Sequence, residues 1–282
     1  MSKPTSRAAS SSQSQRALEG AVQAMRMQRP DEAERITREV LRADKNNILA
    51  LQILGHSLLM MDRAADAIVP LETAVTRSND PSIETLYAGA LAGVGRRDDA
   101  LAQLQRTTAR RPLYPPAVLE LSAQLAKANR LDEATGALEA GLAIAPDALD
   151  LRMELGFHHL KRNDRTTAQT MFAAVLTTAP GRMDAHIALA KVMALDGNYA
   201  AAVKTYQRVL AHQPGDVMTR NNLAICLLEL NRREAGEASL RDAVRAVPQI
   251  AGHAITALAA ASHGRFFLRP SAAAEFLRGA KP

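Results

Sequence analysis

Cysteine, tryptophan and aromatic residues in general are almost missing from this chain. Its one cysteine, Cys226, has no intramolecular partner, so neither a disulfide framework nor a paired-cysteine zinc site is open to it. There is no Trp, and aromatics make up 3% of the residues. Sheets draw on β-branched and aromatic residues, so their scarcity argues against a β fold. Long apolar runs are missing too. No stretch nears the ~18 apolar residues of a membrane-spanning helix. The polar, Ser-rich start, Met1–Arg16, has no apolar core of the kind a signal peptide carries. The sequence therefore reads as that of a cytoplasmic protein without membrane insertion.

A net charge of one sign is also missing from the body. The whole chain is +6, but residues 1–16 and residues 249–282 each carry +3. Between them 28 basic residues meet 28 acidic ones. A nucleic-acid groove needs a basic stripe on the body, so no nucleic-acid partner is expected. What the chain has is Ala and Leu, within an apolar share of 47%. These residues lose little on entering a helix and supply ample material for a core.

The helices repeat. Pro112, Pro146, Pro180, Pro214 and Pro248 lie 34 residues apart, and each marks a helix boundary because proline cannot continue a helix. Between them lie two apolar periodic stretches, separated by polar turns at Asn129-Arg130, Asn163-Asp164, Gly197-Asn198 and Asn231-Arg232. Other positions keep the same phase. Tyr87, Leu121, Leu155, Leu189 and Leu223 are each followed by a small residue: Ala88, Ser122, Gly156, Ala190 and Ala224. Further on come small Ala100, Ala134, Ala168, Ala202 and Gly236, then large Leu104, Leu138, Phe172, Tyr206 and Leu240. Small residues on both helices let the backbones approach, and large ones on the flanks fill the space left over.

This pattern resembles the tetratricopeptide repeat family, of bacterial type. Two weaker copies precede the five clear ones. One, with Leu54, Gly55, Ala67, Leu71 and Ala74, is a residue shorter. The other, with Ala21, Ala33 and Val40, lacks the proline. The resemblance implies an all-α, right-handed solenoid of about seven helix-turn-helix repeats over residues 14–248. A disordered basic tail (1–13) precedes the repeats. A capping helix (249–262) and a Phe-rich segment with a short helix (263–282) follow them. In that last segment Ser271 reads as an N-cap and Gly279 as the stop. Its Phe266, Phe267, Leu268, Phe276 and Leu277 either seal the final helix or dock on a partner.

Residues for reaction chemistry do not converge. The seven histidines are scattered. The adjacent His158 and His159 point about 100° apart on a helix and cannot chelate one metal. Gly89, Gly93 and Gly95 fit neither common phosphate fingerprint, and Gly55-His56-Ser57 is not a nucleophile elbow. No catalytic, cofactor-binding or metal-binding residue is assigned, and the chain reads as a non-enzyme. Binding is different. In the family that the pattern resembles, the first helices line a concave groove. By register this implies Leu119, Met153, Phe157, Leu160, Ile187, Lys191, Asn221, Ile225 and Leu228, with Asn222 where the family places a backbone-gripping Asn. The groove is mostly apolar and suits a partner helix or an apolar-anchored peptide. The carboxylate clamp of chaperone-binding members is not expected, because its first-repeat positions are Leu18 and Val22. The expected function is thus a non-catalytic, protein-binding adaptor or scaffold. Alternatives are an accessory protein of a bacterial envelope or pilus-assembly machine, or a targeting module for a separate glycan- or sulfate-transferring enzyme.

Overall fold

The computed structural model describes residues 5–267 and 269–279. They form sixteen α-helices and no strand. The chain divides into two compact units, one up to Leu151 and one from Arg152, and the division falls inside a helix.

The first unit holds α1 (Thr5–Arg26), α2 (Pro30–Ala43), α3 (Ile48–Met60), α4 (Ala64–Val75), α5 (Pro81–Gly93), α6 (Arg97–Thr108), α7 (Pro115–Lys127) and α8 (Leu131–Ile144). The helix α9 (Leu149–Lys161) carries the division. The second unit continues with α10 (Arg165–Thr178), α11 (Met183–Leu195), α12 (Tyr199–His212), α13 (Val217–Glu229) and α14 (Arg233–Ala246). A 3₁₀ turn (Pro248–Ile250) then leads into α15 (Ala251–Ala260), and α16 (Pro270–Arg278) ends the described chain. The first helix thus begins at Thr5, inside the stretch read from sequence as a tail.

Each of the five periodic prolines lies between helices of successive pairs, and Pro248 opens the 3₁₀ turn. The turns within the pairs share a second device. Gln28, Asp62, Gly95, Asn129, Asn163, Gly197 and Asn231 all have positive φ, between 57° and 84°. In each case the next residue's N–H reaches back to a carbonyl five residues earlier, as in Arg130 N to Leu125 O at 2.9 Å. This is the left-handed helix stop that satisfies orphan carbonyls. The spacing is 34 residues except for 33 between Asp62 and Gly95, which is the shorter copy seen in the sequence. Arg63, Arg96 and Arg130 follow the stop and pair with the acid three residues on, at 2.6–2.7 Å. A β-branched side chain is poorly tolerated at such a φ. Asn129→Val is expected to cost about 1–2 kcal/mol, and Asn129→Gly nothing. Equal urea midpoints for the two variants would show that the stop carries no strain.

The interior is built where the periodicity places it. Ala100, Ala134, Ala168 and Ala202 are fully buried, and so are Leu104, Leu138, Phe172, Tyr206 and Leu240. The close approach is real at three glycines. A Cβ on Gly55 would lie 2.4 Å from Leu71, one on Gly156 2.6 Å from Phe172, and one on Gly236 2.8 Å from Leu228. Within each unit every core cluster is shared by consecutive helices. Ala33, Ala50 and Ile53 join α1–α3, and Ala190, Ala202, Tyr206 and Leu223 join α11–α13.

The last two helices close the second unit. The described α16 begins with Pro270 at its first position and Arg269 as N-cap, not Ser271. Proline suits that position because its missing N–H would be unsatisfied there anyway. Gly279, at φ 91°, is the stop expected from sequence. Phe276 and Leu277 are buried in one cluster with Leu240, Ala254 and Leu258. Phe267, half-buried, stacks on Phe276 with centroids 5.3 Å apart. Phe266 is 75% exposed, and Leu268 lies outside the described residues. Two guanidiniums lie over the Phe276 ring, Arg241 at 5.0 Å and Arg265 at 4.8 Å from its centroid. Both arginines also reach the buried Glu237 carboxylate, and Arg265 does so at 3.0 Å. The backbone N–H of Arg265 donates to Leu258 O at 2.8 Å. Gly264 passes so close to Leu258 O that no side chain fits there.

Candidate functional site

Within each unit, first helices pack on their own second helix and on the next first helix, as α1 does on α2 and α3 and α13 on α14 and α15. The face left over is the candidate site. In the second unit it carries two open cavities. One, of about 360 Å³, lies between α9 and α11 and is lined by Glu154, Phe157, Leu160, Lys161, Lys191 and Leu195. Its floor is apolar. Phe157 is half-buried and packs on Phe172 with centroids 5.1 Å apart. Leu195 is 46% exposed. Lys161 and Lys191 stand exposed at the rim.

The other cavity, of about 740 Å³, lies between α13 and α15. Asn221, Ile225 and Glu229 line it from α13, and Gly252, His253, Thr256, Ala257 and Ala260 from α15. Asn221 is 6% exposed, and its Oδ1 is a buried acceptor with no partner among the described residues. One oxygen of Glu229 accepts the Ser262 N–H at 3.0 Å.

The register-derived residues therefore divide. Phe157, Leu160, Lys191, Asn221 and Ile225 line these two cavities. Leu119, Ile187 and Asn222 are half-buried on their first helices, and Ile187 packs against the α11–α13 core. Met153 is buried. Leu228 is corrected: it is fully buried in the terminal cluster, under Gly236, and so belongs to the core.

The first unit holds a cavity at its first repeat. It measures about 930 Å³, between α1 and α3, and Leu18, Val22, Gln23, Arg26, Asn47 and Leu49 line it. From sequence, Leu18 and Val22 count only against a clamp. The register nevertheless places both at groove positions of the first repeat, and both line the cavity.

Titratable groups offer little for reaction chemistry. Burial pushes the Cys226 thiol up to about 11, so it stays protonated and unreactive at neutral pH. Burial also holds His158 below the ordinary imidazole range, with Glu154 at 3.5 Å opposing the shift. Among the described residues, no three His, Cys, Asp or Glu side chains gather where a metal ion could be held. No helix there is long and apolar enough to cross a membrane.

Comparison with known proteins agrees with the fold. A family model described as "Tetratricopeptide repeat" matches residues 159–216 and 193–259. No curated protein matches the sequence. A solved tetratricopeptide repeat protein from Parabacteroides merdae is similar at a TM-score of 0.62 and 12% identity, over 86% of this chain and 98% of that one. A thermophilic TPR protein of Thermus thermophilus gives 0.55 and 22%, over 64% and 98%. PilW, described as a widely conserved type IV pilus biogenesis factor, gives 0.58 and 21%, over 71% and 94%. At these identities the likeness is one of fold.

Proposed function

We propose that this chain, a tetratricopeptide repeat protein, is a non-catalytic adaptor whose first-helix face holds a segment of a partner protein. The observation that carries this reading is the cavity between α9 and α11. Large apolar side chains there, Leu160 and the 46% exposed Leu195, are left open to solvent beside unburied lysines. An apolar side chain of a partner gains by covering them. On the same reading the segment 263–282 serves the repeats by closing the last pair, which leaves only Phe266 of its aromatic residues exposed for docking. A second reading, an accessory role in a bacterial envelope or pilus machine, has the fold shared with PilW in its favour. That support is analogy at the level of fold.

The test combines two measurements on Leu195→Glu. Leu195 closes the exposed end of α11, so thermal melting is expected to move little. Affinity capture with mass spectrometry is expected to lose a defined subset of wild-type partners, at least tenfold. The names in that subset decide between the two readings. A variant that melts normally and captures every partner as before removes the α9–α11 face as the binding site.

A further inference from the structure

Single exposed apolar side chains are ordinary on a protein surface. Two on adjoining turns are a different matter, and the second unit carries such a pair where its last helices end. Leu230 closes α13 and is 37% exposed, and Phe266, in the loop between α15 and α16, is 75% exposed. Hydrogen bonds tie the two turns together. The Ser262 N–H donates to Glu229 at 3.0 Å, and the Arg233 guanidinium donates to Gly264 O. The loop is not free to fold Phe266 away. On one side of it Arg265 is fixed to Leu258 O and to Glu237, and on the other Phe267 stacks on Phe276. Phe266 is thus held outward by neighbours that are held inward. At its exposure it adds little to the packing of the unit.

The charge near the pair is mainly positive. Arg232, Arg233 and Arg269 are exposed on these turns. Glu229 and Glu234 belong to the first turn, but the chain from residue 249 on carries +3, with Glu275 as its only acidic side chain. We infer that this end of the second unit rests on an anionic lipid surface. Phe266 and Leu230 enter between the headgroups, and the arginines keep their charge among the phosphates while their stems lie on apolar surface. The form of the patch favours lipid over a protein partner. Two projecting tips need no shaped recess in a bilayer, whereas a protein must supply a pocket for each anchor. Nor do the turns bring stranded donors with them. The N–H groups of Arg232 and Arg265 are bonded to Leu227 O and Leu258 O, both at 2.8 Å, and an unmet backbone group is costly in an apolar layer. With two apolar side chains and few cations, the contact is reversible and weakened by salt. Neither Leu230 nor Phe266 lines the α9–α11 or the α13–α15 cavity, so the first-helix face stays open to a partner.

The chain has no Trp, so Phe266→Trp places a single reporter in the full chain. The probe is a vesicle of phosphatidylcholine with one-quarter phosphatidylglycerol. On it the Trp emission is expected to shift to the blue, and brominated acyl chains are expected to quench it. Vesicles of phosphatidylcholine alone should do neither. Co-sedimentation of the wild type with the anionic vesicles should fall at least tenfold in Phe266→Ser, whose melting temperature stays level because the side chain is exposed. It should also fall in the double variant Arg232→Gln, Arg269→Gln, and as salt is raised. No binding of the wild type at low salt would end the proposal. So would equal binding to neutral and anionic vesicles, or a Phe266→Ser variant that binds as before. A reporter that ignores both vesicles but shifts with poly-glutamate would assign the patch to an acidic protein partner and overturn the lipid reading.

Discussion

Gly156→Leu is expected to lower stability by about 3 kcal/mol, at the upper end of what overpacking costs. At this position even a Cβ would meet Phe172 Cε1 at 2.6 Å. Phe172 cannot retreat. It is fully buried, and its ring also packs on Phe157. The backbones of α9 and α10 must then separate, which also opens the contact at Ala168. Urea denaturation checks this, and an unchanged midpoint would place the close approach elsewhere. Gly136→Ala is the control: no heavy atom lies within 4 Å of a Cβ there, and exchanging Gly for Ala inside a helix gains a few tenths to about 1 kcal/mol.

Removal of Arg265–Pro282 is the second large effect. Ala254, Ala257 and Leu258 are buried in a cluster completed by Phe276 and Leu277. Without α16 they form an exposed apolar patch, and such a patch finds a partner or a second copy. The cut also takes away Arg265, which leaves the Glu237 carboxylate, with its side chain 7% exposed, one cation short. Arg233 and Arg241 remain beside it, at 3.4 and 3.8 Å, so the uncovered apolar patch is the larger effect. The truncated chain is expected to self-associate and to melt well below the full one. The point variant Leu277→Ala, which empties a fully buried site, should cost about 2–5 kcal/mol without removing any charge. Light scattering and melting decide the matter. A truncated chain that stays monomeric and melts unchanged would show that the segment does not seal the repeats.

The repeat is legible along the chain because it rests on backbone rules. Proline is costly in helix interiors, although α4 carries Pro70 inside it, and small residues mark close approach, so Pro112 to Pro248 and Ala100 to Gly236 can be found by counting. The early turns are less legible. Gln28 adopts the left-handed stop that glycine and asparagine announce elsewhere, and glutamine does not signal it; Asp62, a residue type that tolerates this region less readily than glycine, signals it weakly. The site shows in the sequence only as a register. Leu228 and Ile225 differ by three positions on one helix, yet Leu228 is buried beneath Gly236 and Ile225 lines an open cavity. That difference is set by the neighbouring helices, and no local rule contains it. The missing partner of Asn221 belongs to the same kind: a hydrogen bond across helices has no signature along the chain.

Within each unit, a helix packs only on helices one or two places away in sequence. The loops closed during folding are therefore all of one modest length, and the entropy lost per step hardly grows as the array does. Such a chain has low contact order and many equivalent places to begin ordering. Its unfolding is correspondingly graded. The outermost pairs fray first, while an inner pair is held from both sides. That makes the sealed end, where Arg265 and Phe276 interlock over Glu237, the gatekeeper of the second unit's lifetime.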